Sequence, residues 1–259
     1  MSRPMAQEII VSRIGRALHI RLDRAGKRNA VTRSMYDAMA EAIVEAEADA
    51  TIRAVLFSGA GEAFCAGNDL NDFVADPPTG MDSPGFRFLR AISTAEKVLV
   101  AAVHGSAVGV GTTMLLHCDL VVAARSARLS LPFVTLGLVP EAASTLLLPR
   151  AIGHLRAAEL LLLGESIDAE TAMRWGLVNR IVEDDKLIDI AIELVTRVGS
   201  LPPSAVRLTK QLLKDDRGGV AVRIEQEADI FVERLRAPEF KEAASAFLEK
   251  RAADFSRFS

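Results

Sequence analysis

Aromatic side chains are scarce in this 259-residue chain: they make up 5% of it, with one Trp and one Tyr. That leaves few stacking platforms for single-stranded nucleic acid and hands the core to Ala, Val, Leu and Ile. Cysteine is scarcer still. Cys65 and Cys118 are too few for a disulfide framework and fit a reducing cytosol. Neither sign of charge dominates, with 31 Lys+Arg against 34 Asp+Glu and a net charge of −3. No basic field therefore advertises nucleic acid or a membrane as partner. Long apolar runs are also lacking, since residues 98–103 and 160–163 fall far short of a membrane span. The start, Met1-Ser2-Arg3-Pro4, has no apolar run behind it, which argues against a signal peptide. No internal repeat, low-complexity tract or Pro/Gly/Ser linker divides the chain. What is present is 50% hydrophobic and 25% charged, an ordinary soluble composition with enough length to bury a substantial core. A cytoplasmic enzyme is the expectation.

Patterning sets the order of elements. Residues 8–14 and 17–23 alternate apolar positions and predict two antiparallel strands turning at Gly15. Residues 34–50 predict a helix with Thr32 as N-cap, and 53–58 a short apolar strand. An Asp/Pro-rich loop then leads to a helix at 86–96 and a fully apolar strand at 98–103. Residues 105–117 read as a glycine-rich turn into a helix, and 119–124 as another buried strand. This alternation predicts a largely parallel sheet with crossover helices. Beyond Ala142 the pattern is helical, at 152–163, 169–175, 186–198, 204–214, 220–235 and 239–251. Val220, Ile224, Ala228, Phe231, Val232 and Leu235 share one face; Phe240, Ala244, Phe247 and Leu248 share another. The expected division is an α/β core over residues 1–195 and a helical subdomain over 196–259.

Two glycine-rich turns follow apolar strands. They are Ala63-Phe64-Cys65-Ala66-Gly67-Asn68-Asp69-Leu70 and His104-Gly105-Ser106-Ala107-Val108-Gly109-Val110-Gly111. Gly105, Gly109 and Gly111 lack the spacing of a dinucleotide fingerprint. No Gly-Lys-Ser/Thr follows to make a P-loop, and no G-x-S-x-G elbow supplies a serine nucleophile. Backbone amides remain. A helix starting near Gly109 leaves its first N–H groups unpaired, with the helix dipole behind them. A second amide from residues 67–69 would complete a two-donor pocket for a developing oxyanion.

These residues carry a resemblance. The first turn, and Ala101-Ala102-Val103-His104-Gly105-Ser106-Ala107-Val108-Gly109, resemble the acyl-CoA loops of the enoyl-CoA hydratase/isomerase (crotonase) superfamily. Lys27-Arg28-Asn29-Ala30 and Leu136-Gly137-Leu138-Val139-Pro140-Glu141 match it too. So do Ala172-Met173-Arg174-Trp175-Gly176-Leu177-Val178 and Phe247-Leu248-Glu249-Lys250-Arg251, in order over essentially the whole chain. The resemblance implies an α/β spiral of ββα units with a C-terminal helical trimerisation region, assembled as a homotrimer or dimer of trimers. It also implies an acyl-CoA thioester substrate, so that coenzyme A is part of the substrate, with no separate cofactor and no metal. The implied binding set is Lys27, Arg28, Ala30, Ala66, Gly67, Asn68, Asp69, Leu70, Gly109, Val110 and Phe133.

Carried over by position, the resemblance makes Asn68 N–H one oxyanion donor and Val110 N–H the other. Many relatives have glycine in place of Val110, a change that a backbone donor tolerates. Hydration in this family needs two carboxylates, and the matching positions here hold Thr113 and Phe133, the latter after Pro132. A threonine can hydrogen-bond a water but is no base near neutral pH, and a phenylalanine does neither. Glu141, in Leu138-Val139-Pro140-Glu141-Ala142-Ala143, resembles the lone catalytic carboxylate of peroxisomal-type Δ3,Δ2-enoyl-CoA isomerases. One base that takes a C2 proton and returns it at C4 suffices for that reaction, and Phe133 would supply an apolar wall against water. The implied function is an isomerase with Glu141, Asn68 and Val110 as catalytic residues. The alternatives are an enoyl-CoA hydratase or another reaction of the family, such as thioester hydrolysis or dehalogenation, and a non-catalytic acyl-CoA binder. Residues 73–85, with Pro77, Pro78 and Pro84, are expected to shape the acyl pocket.

Simpler roles compete for the same residues. An acid in a first turn complements a helix dipole, so Glu141 could serve as a cap. Asp69 suits local loop hydrogen bonding, Cys65 a packed thiol, and His104 a backbone hydrogen bond. Adjacent residues of His117-Cys118-Asp119 point in different directions, which favours structure over metal binding. Lys27, Arg28, Arg87, Arg90 and Lys250 read as solvated charges, the first two also as contacts for the CoA phosphates.

Overall fold

The computed structural model describes residues 8–214 and 217–258; the first four residues, read above against a signal peptide, lie outside them. In chain order the strands are β1 (Ile9–Ile14), β2 (Ala17–Leu22), β3 (Ala54–Gly59), β4 (Val98–Val103) and β5 (Ser106–Val108). β6 (Leu120–Ala124), β7 (Arg128–Ser130), β8 (Ile167–Asp168) and β9 (Arg180–Val182) follow. The helices begin with α1 (Arg33–Ala48), α2 (Leu70–Ala75), α3 (Pro84–Thr94), α4 (Val110–Thr113), α5 (Ser144–Ile152) and α6 (His154–Ala158). They continue with α7 (Ala169–Trp175), α8 (Leu187–Ser200), α9 (Pro203–Leu213), α10 (Arg217–Arg234) and α11 (Pro238–Leu248).

The alternating first segments close a hairpin, with Gly15 taking φ 56 in the turn that only a residue without Cβ enters freely. From β2 onward the pairing is parallel, through β3, β4, β6 and β9. The resulting six-stranded sheet has the order β1-β2-β3-β4-β6-β9. Every residue of β4 is buried, as a strand covered on both faces requires. Its period of two sorts side chains between those faces. Leu99, Ala101 and Val103 join Met35, Met39, Ile43, Phe88 and Ile92 on one side. Val98, Val100 and Ala102 meet Leu187, Ala191, Leu194 and Val195 of α8 on the other. The position 195/196 lies inside α8, and Ala228, Phe231 and Leu235 of α10 share a cluster with the sheet.

Three local expectations need correction. Residues 105–117 are not simply a turn into a helix: β5 pairs with β7 in a second, three-stranded sheet of order β5-β7-β8, and a single α-turn and a 3-10 turn (Met114–His117) follow. Strand pairing outside the local sequence overrides its helical pattern here. The helix expected at 152–163 starts earlier, at Ser144, is interrupted at Gly153 (φ 84) and ends in a π-helical turn over Glu159–Leu163. In α11, Phe247 and Leu248 are 62% and 51% exposed, so they do not share the buried face. That face is Phe240, Ala243, Ala244 and Ala246, set by the approach of α11 to Gly137, where a Cβ would sit 2.9 Å from Phe240 N. No described helix is long and apolar enough to cross a membrane.

Candidate active site

Parallel strands deliver their following loops to one edge of a sheet, where α/β proteins place their ligands. The loops after β3 and β4 run side by side there. Phe64 N–H donates to His104 O (2.8 Å), Cys65 N–H to Ser106 O (3.0 Å) and Val108 N–H to Cys65 O (2.9 Å). Glycine makes this contact possible. A Cβ on Gly67 (φ 89) would lie 3.2 Å from Val108 O, and one on Gly111 would lie 2.8 Å from both Cys65 Cβ and its carbonyl oxygen.

On its far side the first loop bridges Val31: Val31 N–H donates to Gly67 O (2.8 Å) and Asp69 N–H to Val31 O (2.9 Å). In such a bridge the intervening residue directs its own N–H the opposite way, which leaves the Asn68 amide available. Gly109, at φ 54, is the N-cap of α4; Thr112 and Thr113 return their N–H groups to its carbonyl, both at 2.9 Å. The amides of Val110 and Gly111 therefore have no intrahelical acceptor. The Val110 side chain is buried in the core. Because α4 is one turn long, the two amides act as individual donors and the dipole expected behind them is that of a single turn.

A cleft of about 640 Å³ opens over this edge. It gathers Lys27, Arg28, Ala30, Ala66, Gly67, Asn68, Asp69, Leu70, Gly109 and Phe133, while Val110 lies behind its wall. Lys27 and Arg28 are exposed at the rim. An inner cavity of about 40 Å³ shares Asn68, Phe73 and Phe231 with the cleft and adds Tyr36, Phe86, Leu89 and Glu141. The 73–85 segment, expected as a loop, runs from the end of α2 to the start of α3 and contributes Phe73, Pro78, Ser83, Pro84 and Gly85 to it. Phe231 is the hub of its aromatic wall, edge-on to both Phe73 and Phe86.

Glu141 rides on a tight turn in which Ala142 and Ala143 take φ 63 and 54. His117 Nε2–H fixes that turn by donating to Ala142 O (2.8 Å); burial pushes the imidazole down to about 4, so it is neutral at physiological pH. The α5 N-cap is Ala143, and no side chain caps it. Glu141 is thus no helix cap; its carboxylate accepts from Thr113 Oγ1 at 2.5 Å and is 6% exposed. Burial pushes its carboxyl up to about 7, against the Thr113 hydrogen bond and with help from the charge of Glu227. A group poised there holds and releases protons near neutral pH.

The competing roles sort out as well. Asp69 caps α2 through Asn71 N–H (3.0 Å) and Asp72 N–H (3.2 Å) and pairs with Arg24 at 2.6 Å. Burial opposes ionisation of Asp69, but Arg24 and these amides hold it below the usual carboxylate range. Burial pushes the Cys65 thiol up to about 12, which rules out a thiolate nucleophile. His104 donates to Gly61 O (2.9 Å), and Asp119 pairs with Lys210 at 2.7 Å while accepting from Leu99 N–H.

Three residues that the sequence did not single out are built into the site. Arg24 ties Glu8, Ala30 O and Asp69 together beneath the cleft. Glu227 of α10 accepts from the Thr145 amide (3.0 Å) and hydroxyl (2.5 Å). Tyr36, buried on the apolar face of α1, donates its hydroxyl to Asn68 Oδ1 at 2.6 Å. Burial first, then the nearby Glu141 carboxyl and Cys65 thiol, push that phenol well up, so it stays a donor. The signal for Tyr36 was a lone polar tip on an apolar stripe. Tyr36→Phe strands the Asn68 oxygen, which predicts a stability loss of about 1–2 kcal/mol. A drop in kcat of roughly tenfold accompanies it, equivalent to 1.4 kcal/mol of lost positioning; thermal melts and steady-state kinetics check both.

Two adjoining glycine-rich loops with free amides, a cleft with a basic rim and a buried, raised carboxyl on its inner cavity define an α/β enzyme equipped to handle an oxyanion. A family model described as enoyl-CoA hydratase/isomerase matches residues 15–257, and the chain belongs to that family. It is 35% identical over 258 residues to 1,2-epoxyphenylacetyl-CoA isomerase of Escherichia coli K12, covering 96% of this chain and 98% of that one. It is 33% identical over 250 residues to 2,3-dehydroadipyl-CoA hydratase of the same organism, again covering 96% and 98%. Among solved structures, Pseudomonas aeruginosa OdaA matches with a TM-score of 0.91 and 49% identity over 94% of this chain and 99% of that one. An enoyl-CoA hydratase/isomerase from Pseudoalteromonas atlantica T6c also reaches 0.91, at 44% identity over 96% and 100%. The fold is accordingly the crotonase fold.

Proposed function

We propose that the protein isomerises 3-enoyl-CoA to 2-enoyl-CoA with Glu141 as its single acid/base. The observation that carries this reading is the placement of one buried carboxyl, Glu141, on the cavity shared with Asn68, while Thr113 and Phe133 occupy the positions matching the hydration carboxylates. The thioester oxygen sits between the Asn68 and Val110 N–H groups, and the CoA phosphates lie toward Lys27 and Arg28. Glu141 takes a C2 proton; the electron pair moves into the thioester and gives a dienolate held by the two amides. The same carboxylic acid then delivers the proton to C4, the double bond settles between C2 and C3, and the carboxylate is restored. Thr113 holds the carboxylate in place, and Phe133, whose ring lies 3.9 Å from where a Gly109 Cβ would stand, keeps the oxyanion side dry.

The names of the relatives include both an isomerase and hydratases. Hydration is the second reading, favoured by one contact: Thr113 Oγ1 on Glu141 could share a water with it. Purified protein given 3-enoyl-CoA and 2-enoyl-CoA in parallel separates these readings. Conjugation of the first substrate without hydration of the second is the expected result. Net formation of 3-hydroxyacyl-CoA from 2-enoyl-CoA would move the assignment to a hydratase, and CoA-ester binding without turnover of either to a binder. The same reading places the enzyme in the cytoplasm as a homotrimer or dimer of trimers whose contacts cover Phe247 and Leu248. Sedimentation at a multiple of three times 27.9 kDa is expected.

A further inference from the structure

We propose that Glu227 is a positioning residue for Glu141: from α10 it clamps the strained turn that carries the base and holds a second buried carboxylate close to it. The inference rests on the reading of Glu141 as the base. Ala142 and Ala143 both occupy the left-handed region, at φ 63 and 54, which side chains with a Cβ enter only at a cost. Such a turn persists only where its surroundings hold it. From one side His117 donates to Ala142 O. From the other, Glu227 Oε1 accepts both the amide and the hydroxyl of Thr145, at 3.0 and 2.5 Å, and Arg223 donates to the same hydroxyl at 3.0 Å. α10 is thereby bolted to the first turn of α5, four residues beyond Glu141.

The Ala143 amide of the strained turn also favours the ionised Glu227, yet the other oxygen, Oε2, is buried with no partner at hydrogen-bond geometry, on a residue that is 5% exposed. A helix clamp alone needs one oxygen. A bare second oxygen is expensive in a protein interior, and such groups call for an explanation. Here its charge acts on Glu141: beyond burial, Glu227 is what raises the Glu141 carboxyl. Thr113 from α4, Tyr36 from α1 and Cys65 from the first loop also face Glu141, but none of them is charged at neutral pH. Across the inner cavity, Asp72 accepts from the Arg33 amide, and the Arg33 guanidinium pairs with Asp76. His117 is neutral, and Arg223 is turned to Thr145. Burial raises the Glu227 carboxyl too, against the Thr145 and Ala143 hydrogen bonds and the charge of Arg223 that favour its ionised form; among the described residues it is the acidic group that acts on the base.

The test is Glu227→Gln, read by carboxyl carbon-13 NMR titration of Glu141, assigned by its disappearance in Glu141→Gln, and by the pH profile of kcat/KM. The expected result is a Glu141 midpoint lower by roughly half a pH unit, the scale of a screened like-charge pair, with the acid limb of the profile moving by the same amount. Glu227→Asp, which keeps the charge but withdraws it from Thr145, is expected to leave the midpoint raised and to lower kcat with KM held. An unmoved midpoint in a folded Glu227→Gln protein overturns the inference. A midpoint that moves while the limb stays supports the coupling and instead overturns Glu141 as the base. If Glu227→Gln fails to fold, the Asp variant decides: equal losses of stability and rate with no kcat-against-KM split reduce Glu227 to a structural clamp and overturn its positioning role.

Discussion

Glu141→Gln is expected to abolish isomerisation and at the same time to make the protein harder to unfold. The loss follows from removal of the base, which contributes about 10²–10⁴-fold in comparable cases. The gain follows from burial. A free glutamate titrates near 4.5, and burial pushes Glu141 up to about 7. Below pH 4.5 the carboxyl is protonated in the folded and unfolded chain alike, so it carries no penalty. As pH rises from 4.5 to 7 the unfolded chain releases the proton first, and stability falls; above 7 the loss is complete. At about 1.4 kcal/mol per unit this is a cost of roughly 3 kcal/mol at pH 8 that a neutral amide escapes. The Gln variant should therefore melt several degrees higher than the wild type at pH 8, with the difference gone near pH 4.5. Wild-type kcat/KM should fall about tenfold per unit below pH 7, as the base is protonated. Equal melting temperatures at pH 8 would contradict the buried, ionisable base.

Gly111→Ala should cost activity almost as heavily, through backbone alone. Its Cβ would stand 2.8 Å from Cys65 Cβ and from the Cys65 carbonyl oxygen, and 3.2 Å from Cys65 Sγ. Neither partner can yield by turning a side chain. Cys65 is pinned to β5 through its own N–H and carbonyl, and the Asn68 donor is three residues further along the same loop. Gly111 follows the Val110 donor directly. The added methyl must wedge the two donors apart, and a displacement near 1 Å is enough for about a 10²-fold loss. Overpacking adds a stability cost of about 1–3 kcal/mol. The expected result is a fall in kcat/KM of at least ~10²-fold with binding of CoA esters largely kept. Cys65→Gly should restore part of the rate, because it removes one of the two clashing atoms. A folded Gly111→Ala protein with wild-type kinetics would detach these loops from the oxyanion.

The fold was legible wherever local pattern and tertiary partner agree. The fully apolar 98–103 run became the doubly covered strand β4, and Thr32 accepts from Met35 N–H as the N-cap of α1. It was illegible where pairing partners lie far along the chain. Nothing within 105–117 announces that Ser106–Val108 pairs with Arg128–Ser130. The interruption at Gly153 was available as a glycine, yet the apolar residues on either side masked it. In the site, the cleft residues could be named from the sequence because they fall in a few short segments, at 27–30, 66–70, 109 and 133. Tyr36, Arg24 and Glu227 could not, since the first two act on motif residues and the third on Thr145 just beyond one, at separations of 32, 45 and 82 residues. Glu141 lay between: its motif marked it, but only its burial against Thr113 and the strained alanines shows why its proton is held so firmly.

The most direct test of the central claim follows the proton. The enzyme is given 3-enoyl-CoA deuterated at C2, and the product is read by NMR and mass spectrometry, with the water labelled in its oxygen. A single base returning its own proton predicts a conjugated 2-enoyl-CoA that carries deuterium at C4 and no oxygen from water. A 3-hydroxyacyl-CoA bearing the water oxygen, with no deuterium delivered to C4, would contradict it.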